Sequence, residues 1–236
     1  MTVPVSDTRL REQFQKALHD LNTPLSIIQN SLEPLESSPL SAEARAALGA
    51  IRREALRLMA VSEDLYLRLR AGEPAGAPES LDLAALLRDQ IEILEEQHPA
   101  RSVGSRVRVA DSQVVGERSV LESLIWVVLC GVLLRTDGDV VVELAPGTGA
   151  GRIQLSVVDE GPALTDAQAA DLLSDTPVTA RRSRYHGPRS LELGLAAGQT
   201  LLRQHGGAVE LARAAGARGD VNRVSLQLTL TREVVP

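Results

Sequence analysis

Apolar side chains in the first part of the chain recur at alternating steps of four and three residues. One such run covers residues 10–35, and a second covers residues 48–69. This spacing is typical of the seam along which helices associate in a coiled coil or a helix bundle. Between the runs, Pro39 opposes continuation of a helix and Ser41 is a candidate N-cap. The pattern therefore predicts a helical hairpin.

The two seams also predict a second copy of the chain. A hairpin of two helices cannot bury two apolar seams well, whereas two hairpins bury them in a four-helix bundle. We therefore expect a homodimer. The alternative is that the hairpin packs against the C-terminal part of its own chain.

Residues 71–80 separate the hairpin from a region with a different pattern. They are rich in glycine and proline, which is typical of a linker. We assign residues 1–72 to a hairpin domain, 73–80 to a linker and 81–236 to a second domain. The patterns there predict helices at 83–96, 119–134, 166–173 and 191–205, and strands at 106–110, 114–116, 139–144, 152–158, 208–212 and 223–231. The expected fold class is α+β, a helical hairpin followed by an α/β sandwich with one mostly antiparallel sheet.

Composition excludes several classes of function. A net charge of −6 and an aromatic content of 2% argue against a nucleic-acid-binding surface. Cys130 is the single cysteine, so neither an internal disulfide nor a cysteine-rich metal site is expected, and no other metal site is predicted. The N-terminus lacks the layout of a signal peptide, and the longest apolar run, residues 124–134, is too short to cross a bilayer. We expect a cytoplasmic protein without membrane contact, which receives its signal from another protein because little chain precedes the hairpin.

Residues 19–25 read His-Asp-Leu-Asn-Thr-Pro-Leu inside the first apolar run. At about 100° per residue, His19 points roughly 130° away from the middle of the apolar stripe and therefore toward solvent. Thr23 lies on the same exposed face, one turn further along. A neutral imidazole nitrogen is a good nucleophile at neutral pH when a neighbouring group holds the other nitrogen, and Asp20 is placed to be that group. His19 is therefore a candidate nucleophile.

This segment resembles the phospho-accepting histidine motif of two-component sensor kinases, His-(Glu or Asp)-Leu-x-(Thr or Ser)-Pro-Leu, at every specified position. The resemblance implies that His19 accepts a phosphoryl group. It also implies that Thr23 orients water toward the acyl phosphate of a bound receiver during a phosphatase reaction. The partners implied are the receiver domains of response regulators, which bring their own Mg²⁺.

The second domain resembles the Bergerat-type ATP-binding domain of the same kinases in layout more than in chemistry. Trp126 and Cys130 occupy the places where that family has asparagines that hold Mg²⁺ and phosphates. Neither side chain supplies the oxygen ligand that a hard cation prefers. Asp159 and Gly161 match the adenine loop, but Ala163 replaces its second glycine. The implied nucleotide site is damaged in two elements.

The segment that resembles the phosphate loop is altered as well. Gly194 is retained, but Ser190 and Glu192 replace the first two glycines of the loop. A glutamate adds bulk and negative charge where a polyphosphate would lie. We interpret one set of residues as a vestigial nucleotide site: Trp126, Cys130, Asp159, Gly161, Glu192 and Gly194. The chain is accordingly expected to bind no cofactor of its own.

The leading hypothesis from the sequence is a histidine phosphotransferase on a kinase-like scaffold. In it, His19 takes a phosphoryl group from the aspartyl phosphate of one receiver and passes it to another, which requires no ATP site. A second hypothesis is an ATP-dependent sensor histidine kinase with an atypical nucleotide site, fed by a separate sensor subunit. A third is a non-catalytic pseudokinase scaffold that sequesters a regulator.

Overall fold

Two long helices at the start of the chain form the predicted hairpin. The computed structural model describes residues 5–36, 38–74, 76–98, 102–149, 151–159, 165–167, 173, 195–216 and 219–229. Within them, α1 (Val5–Glu36) is followed by α2 (Ala42–Ala71). The hydroxyl of Ser41 accepts a hydrogen bond of 3.2 Å from the backbone amide of Ala44, which confirms the predicted N-cap of α2. Helix α1 continues through Pro24.

The hairpin buries only half of each apolar seam. On α1, the side chains of Leu18, Leu25 and Leu32 are buried, with exposed fractions of 8%, 4% and 6%. The seam residues between them remain 40% to 51% exposed. We call this second set the open stripe; its members are Phe14, Leu21, Ile28 and Leu35 on α1 and Ile51, Leu58 and Leu65 on α2. The predicted spacing is confirmed, but one hairpin covers every other position.

The rest of the described chain is a mixed α and β region, as expected from the sequence. Its elements in chain order are β1 (Glu79–Asp82), α3 (Leu83–Gln97), β2 (Val103–Val107), β3 (Gln113–Gly116), α4 (Arg118–Arg135), β4 (Val140–Pro146), β5 (Arg152–Asp159), α5 (Leu195–Gln204), β6 (Ala208–Gly216) and β7 (Gly219–Thr229). Among these residues the larger sheet has five strands in the order β2-β4-β5-β7-β6. Its pairs are antiparallel apart from β2 with β4, so the mostly antiparallel sheet is confirmed.

Some predicted elements were misplaced. The strand expected at 106–110 begins three residues earlier, because its register is set by parallel pairing of Val103 with Val140 in a distant part of the chain. Strand β1 was missed, and it pairs with β3 in a separate small sheet. The helix expected at 166–173 and the first residues of the one expected at 191–205 lie largely outside the described residues. The proposed domain limits at residues 72 and 81 stay a prediction.

Helix α5 is followed by a glycine cap. Gly206 adopts a positive φ of 73°, a conformation that costs glycine little. The amide of Gly207 then donates a 2.7 Å hydrogen bond to the carbonyl of Leu202. Within the described part of the chain, no helix is both long enough and apolar enough to cross a membrane.

Helix α4 lies between the hairpin and the sheet, in contact with α2 on one side and with β5 on the other. Every residue of this helix is described, and all but Arg118, Ser119 and Glu122 are buried. One cluster of buried apolar side chains runs from Leu25 and Leu56 in the hairpin through α4 into the sheet. The hairpin and the second region therefore share a continuous core.

Candidate functional site

The candidate nucleophile belongs to the middle of α1. His19 is part of this helix, but its side chain lies outside what the structure describes, so its predicted solvent exposure stays a prediction. The two predicted helpers, Asp20 and Thr23, are exposed. They are three residues apart and thus on one face of the helix. That face is open to a docking partner.

The helical turn that contains these residues is tied to α2. We call residues 19–23 the acceptor turn. The side-chain amide of Asn22 donates to Glu63 Oε1 at 3.1 Å. One turn earlier, the hydroxyl of Ser62 donates to the carbonyl of Leu18 at 3.5 Å. Because Pro24 has no amide hydrogen, the acceptor turn has lost one backbone hydrogen bond, and these side-chain bonds help to hold it.

Glu63 also reaches the second domain. Its other carboxylate oxygen, Oε2, accepts a 2.7 Å hydrogen bond from the hydroxyl of Ser123 on α4. Asn22, Glu63, Ser123 and Trp126 line a cavity of about 240 Å³ between the hairpin and α4. No local pattern indicated this link, because a lone glutamate on a helix is typical of a solvated surface and its partners are 41 and 60 residues away.

A second tie between the same parts lies at the end of α2. Arg70 donates two hydrogen bonds to the carboxylate of Glu117, from Nε at 2.8 Å and from Nη2 at 2.7 Å. This bidentate bond is the largest cause that lowers the pKa of Glu117 below its usual value. The backbone amide of Gly76 donates to the same carboxylate at 3.0 Å. Glu117 directly precedes α4, so this pair fixes the start of that helix.

The two positions on α4 that the resemblance assigns to Mg²⁺ and phosphates are part of the core. Trp126 is 7% exposed and Cys130 is fully buried. Burial raises the pKa of the Cys130 thiol well above its usual value, and the nearby charge of Glu63 acts in the same direction. The thiol is therefore neutral and behaves as a small apolar group.

The aspartate of the implied adenine loop is held by an arginine of the same chain. Arg135 Nη2 donates to Asp159 Oδ1, and both side chains are almost completely buried. Arg135 ends α4 and Asp159 ends β5, so the pair joins the helix to the sheet. A buried carboxylate with a guanidinium partner is already charge-compensated. The role in a nucleotide site that the resemblance assigns to Asp159 stays a prediction.

At the two α4 positions that the resemblance assigns to Mg²⁺, the side chains do not fit this ion. The side chains of Trp126 and Cys130 carry no oxygen, and the adenine-loop carboxylate is engaged by Arg135. Among the described residues, no group of three or more histidine, cysteine, aspartate or glutamate side chains is arranged to hold a metal ion. Gly161, Glu192 and Gly194 lie outside the described residues, so the predictions made for them are not tested.

Comparisons with known proteins agree with the motif and the fold. The family of the His Kinase A (phospho-acceptor) domain matches residues 9–73. The sensor histidine kinase TrcS of Mycobacterium tuberculosis is 30% identical over 213 residues, which cover 86% of this chain and 41% of TrcS. The chain thus spans well under half the length of this relative.

Two solved structures have a similar fold. Full-length ShkA, crystallised in complex with AMPPNP, aligns with a TM-score of 0.57 and 22% identity over 93% of this chain and 46% of ShkA. The mycobacterial sensor histidine kinase MprB aligns with a TM-score of 0.51 and 23% identity over 64% of this chain and 96% of MprB. The name of the TrcS relative agrees better with the sensor-kinase hypothesis than with a phosphotransferase that needs no ATP.

Proposed function

The chain belongs to the two-component histidine kinase superfamily, and from this premise we propose that it is a histidine phosphotransferase whose phosphoryl carrier is His19. An imidazole nitrogen of His19 attacks the phosphorus of a receiver's aspartyl phosphate. A P–N bond forms, the P–O bond breaks, and the aspartate leaves as a carboxylate. Attack by the aspartate of a second receiver reverses these steps and frees the imidazole.

The chain's own residues orient and stabilise this exchange. Asp20 accepts a hydrogen bond from the second imidazole nitrogen and so favours the cationic form that develops during attack. The exposed Thr23 hydroxyl lies on the face that a receiver approaches and can orient water for phosphate release. Catalysis is mainly positional and electrostatic, and the receiver supplies Mg²⁺.

The observation that carries this proposal is the buried pair of Arg135 and Asp159. In a kinase of this superfamily the aspartate would recognise adenine, whereas here it is compensated within the chain. Together with the absence of an oxygen ligand on Trp126 and Cys130, this pair favours loading of His19 by a receiver. The second candidate is an ATP-dependent sensor kinase, which the relationship to TrcS favours.

One parallel labelling experiment separates these functions. We expect the full chain to acquire label from a receiver domain that carries a radiolabelled aspartyl phosphate, and to acquire none from radiolabelled ATP with Mg²⁺. Labelling from ATP would identify the protein as a kinase. Absence of label from both donors, with stable receiver binding in a pull-down, would leave the pseudokinase scaffold as the function.

We also propose that two copies of the chain pair through the open stripe. Burying the exposed half of a leucine or isoleucine side chain contributes about 1 kcal/mol, and the stripe repeats this along both helices. A single hairpin leaves the stripe in water. A four-helix bundle of two hairpins covers it and agrees with the matched phospho-acceptor domain.

A charge in the open stripe is expected to separate the two copies. Ile28→Glu places a carboxylate in the seam between hairpins, where desolvation is costly, so sedimentation equilibrium should give the mass of one chain. The matched control is Ile27→Glu, because Ile27 is adjacent and 61% exposed but lies outside the stripe. The control should retain the mass of two chains. Equal masses for the two variants would contradict pairing through the stripe.

A further inference from the structure

The second domain is tied to α2 by polar contacts at three levels. Arg52 Nη1 donates to the carbonyl of Gln97 at the end of α3 at 2.8 Å. Glu63 bonds to Ser123 in the middle, and Arg70 bonds to Glu117 at the C-terminal end. At about 1.5 Å per residue, these contacts span roughly 27 Å of α2. The second domain is therefore fixed along most of the helix rather than at one point.

The middle contact differs from the other two because it includes the acceptor turn. Both oxygens of the Glu63 carboxylate accept hydrogen bonds, one from Asn22 on α1 and one from Ser123 on α4. A single side chain thus connects the helix that carries His19, the helix beside it and the second domain. Hydrogen bonds to an ionised acceptor are stronger than those between neutral groups, so this connection is directional as well as favourable.

Asn22 lies close enough to His19 along α1 for its hydrogen bond to affect the position of the histidine. Asn22 follows His19 by three residues and lies in the turn that precedes Pro24, where one backbone hydrogen bond is missing. In-line phosphoryl transfer depends strongly on the position of the attacking nitrogen, since a displacement of about 1 Å can cost a hundredfold in rate. The bond from Asn22 to Glu63 restrains this turn.

We propose that Glu63 is a positioning residue for phosphoryl transfer at His19, which holds the acceptor turn in place by joining it to a docked second domain. It touches neither phosphate nor receiver and acts through Asn22 and Ser123. The inference rests on the proposed function of His19. It assigns the second domain a mechanical role: α4 supplies the fixed surface to which the acceptor turn is anchored.

The single tryptophan of the chain provides a direct test of this anchoring. Trp126 lines the same cavity as Glu63 and Asn22, so its emission reports on access of water to this cavity. In Glu63→Ala, which removes both hydrogen bonds, we expect a red shift of the emission as water enters. We also expect an about tenfold slower transfer from a phosphorylated receiver at saturating concentration. The receiver concentration at half-saturation should not change.

Two further variants make the test specific. Glu63→Gln has nearly the same shape as glutamate, carries no charge and keeps one oxygen as an acceptor. It should therefore recover part of the transfer rate. Such recovery would show that the loss in Glu63→Ala is not caused by unfolding. Glu54→Ala is the matched control, because Glu54 is an exposed glutamate of the same helix. It should leave both the emission and the transfer rate at their wild-type values.

The proposal is overturned if either the emission or the transfer rate of Glu63→Ala stays at the wild-type value. It is also overturned if the loss is confined to the half-saturating receiver concentration, which would make Glu63 part of the docking surface. The emission readout requires no phosphate. A red shift without labelling of His19 in the wild type would therefore refute the proposed function while leaving the anchoring contact in place.

Discussion

Replacing His19 with alanine is expected to abolish phosphoryl capture from a labelled receiver. The reason is chemical, because no other side chain of the acceptor turn offers a nucleophilic nitrogen that can form the P–N bond. The measurement is retention of label by the full chain after separation from the receiver. In the wild type, the label should be lost in acid and kept in alkali, as is typical of phosphohistidine.

The control for this variant is another histidine. His205→Ala removes an imidazole that directly follows α5 and should be labelled like the wild type. Sedimentation of His19→Ala should still show two chains, since His19 is not part of the open stripe. Label that persists in His19→Ala would show that the phosphoryl carrier is a different residue, and the proposed function would be wrong.

Replacing Arg135 with leucine is expected to destabilise the fold by about 3–5 kcal/mol. The substitution leaves the Asp159 carboxylate buried without its guanidinium, and an uncompensated charge in the core is strongly unfavourable. Urea denaturation followed by circular dichroism measures the loss. If the pair is only structural, the double variant Arg135→Leu with Asp159→Leu should recover most of the lost free energy of unfolding. The reason is that the core tolerates an apolar pair but not a lone charge.

The control for Arg135→Leu is Arg118→Leu, which removes another arginine of α4. Arg118 is about half exposed and its nitrogens lie 3.4 Å and 3.6 Å from carboxylates of Glu79 and Glu122. An exposed pair of this kind contributes at most about 1 kcal/mol, so the control should unfold close to the wild-type midpoint. A loss of under about 1 kcal/mol in Arg135→Leu would contradict the buried charge pair assigned to Arg135 and Asp159.

Local patterns were sufficient to predict the helical elements. The three-and-four spacing located α1 and α2, and the apolar run around Trp126 located α4 to within one residue at each end. The same spacing predicted two apolar seams, but it did not indicate which seam residues are buried within the hairpin and which remain exposed. Leu25 is buried by the hairpin and Ile28 is not, although both fit the repeat equally well. Spacing reports amphipathicity, whereas the partner depends on tertiary structure.

The connections between elements could not be predicted from local pattern. Strand β2 takes its register from β4, more than thirty residues later in sequence. The hydrogen bonds of Glu63 and the pairing of Arg135 with Asp159 likewise join distant segments. Arg135 ends an otherwise apolar helix, but a basic residue in the last turn is common and did not by itself indicate a buried acidic partner. No signal existed for Glu63 either, because glutamate is a common residue at exposed positions of helices.

The burial of α4 on both sides limits how this protein can be recombined with its relatives. A chimera that takes residues 1–72 from another family member would place a foreign α2 against α4, where the apolar contacts and the Ser123 bond must match. The hairpin therefore cannot be transplanted as a free module. An engineered exchange should transfer α4 together with the hairpin, or confine its changes to the exposed face of α1.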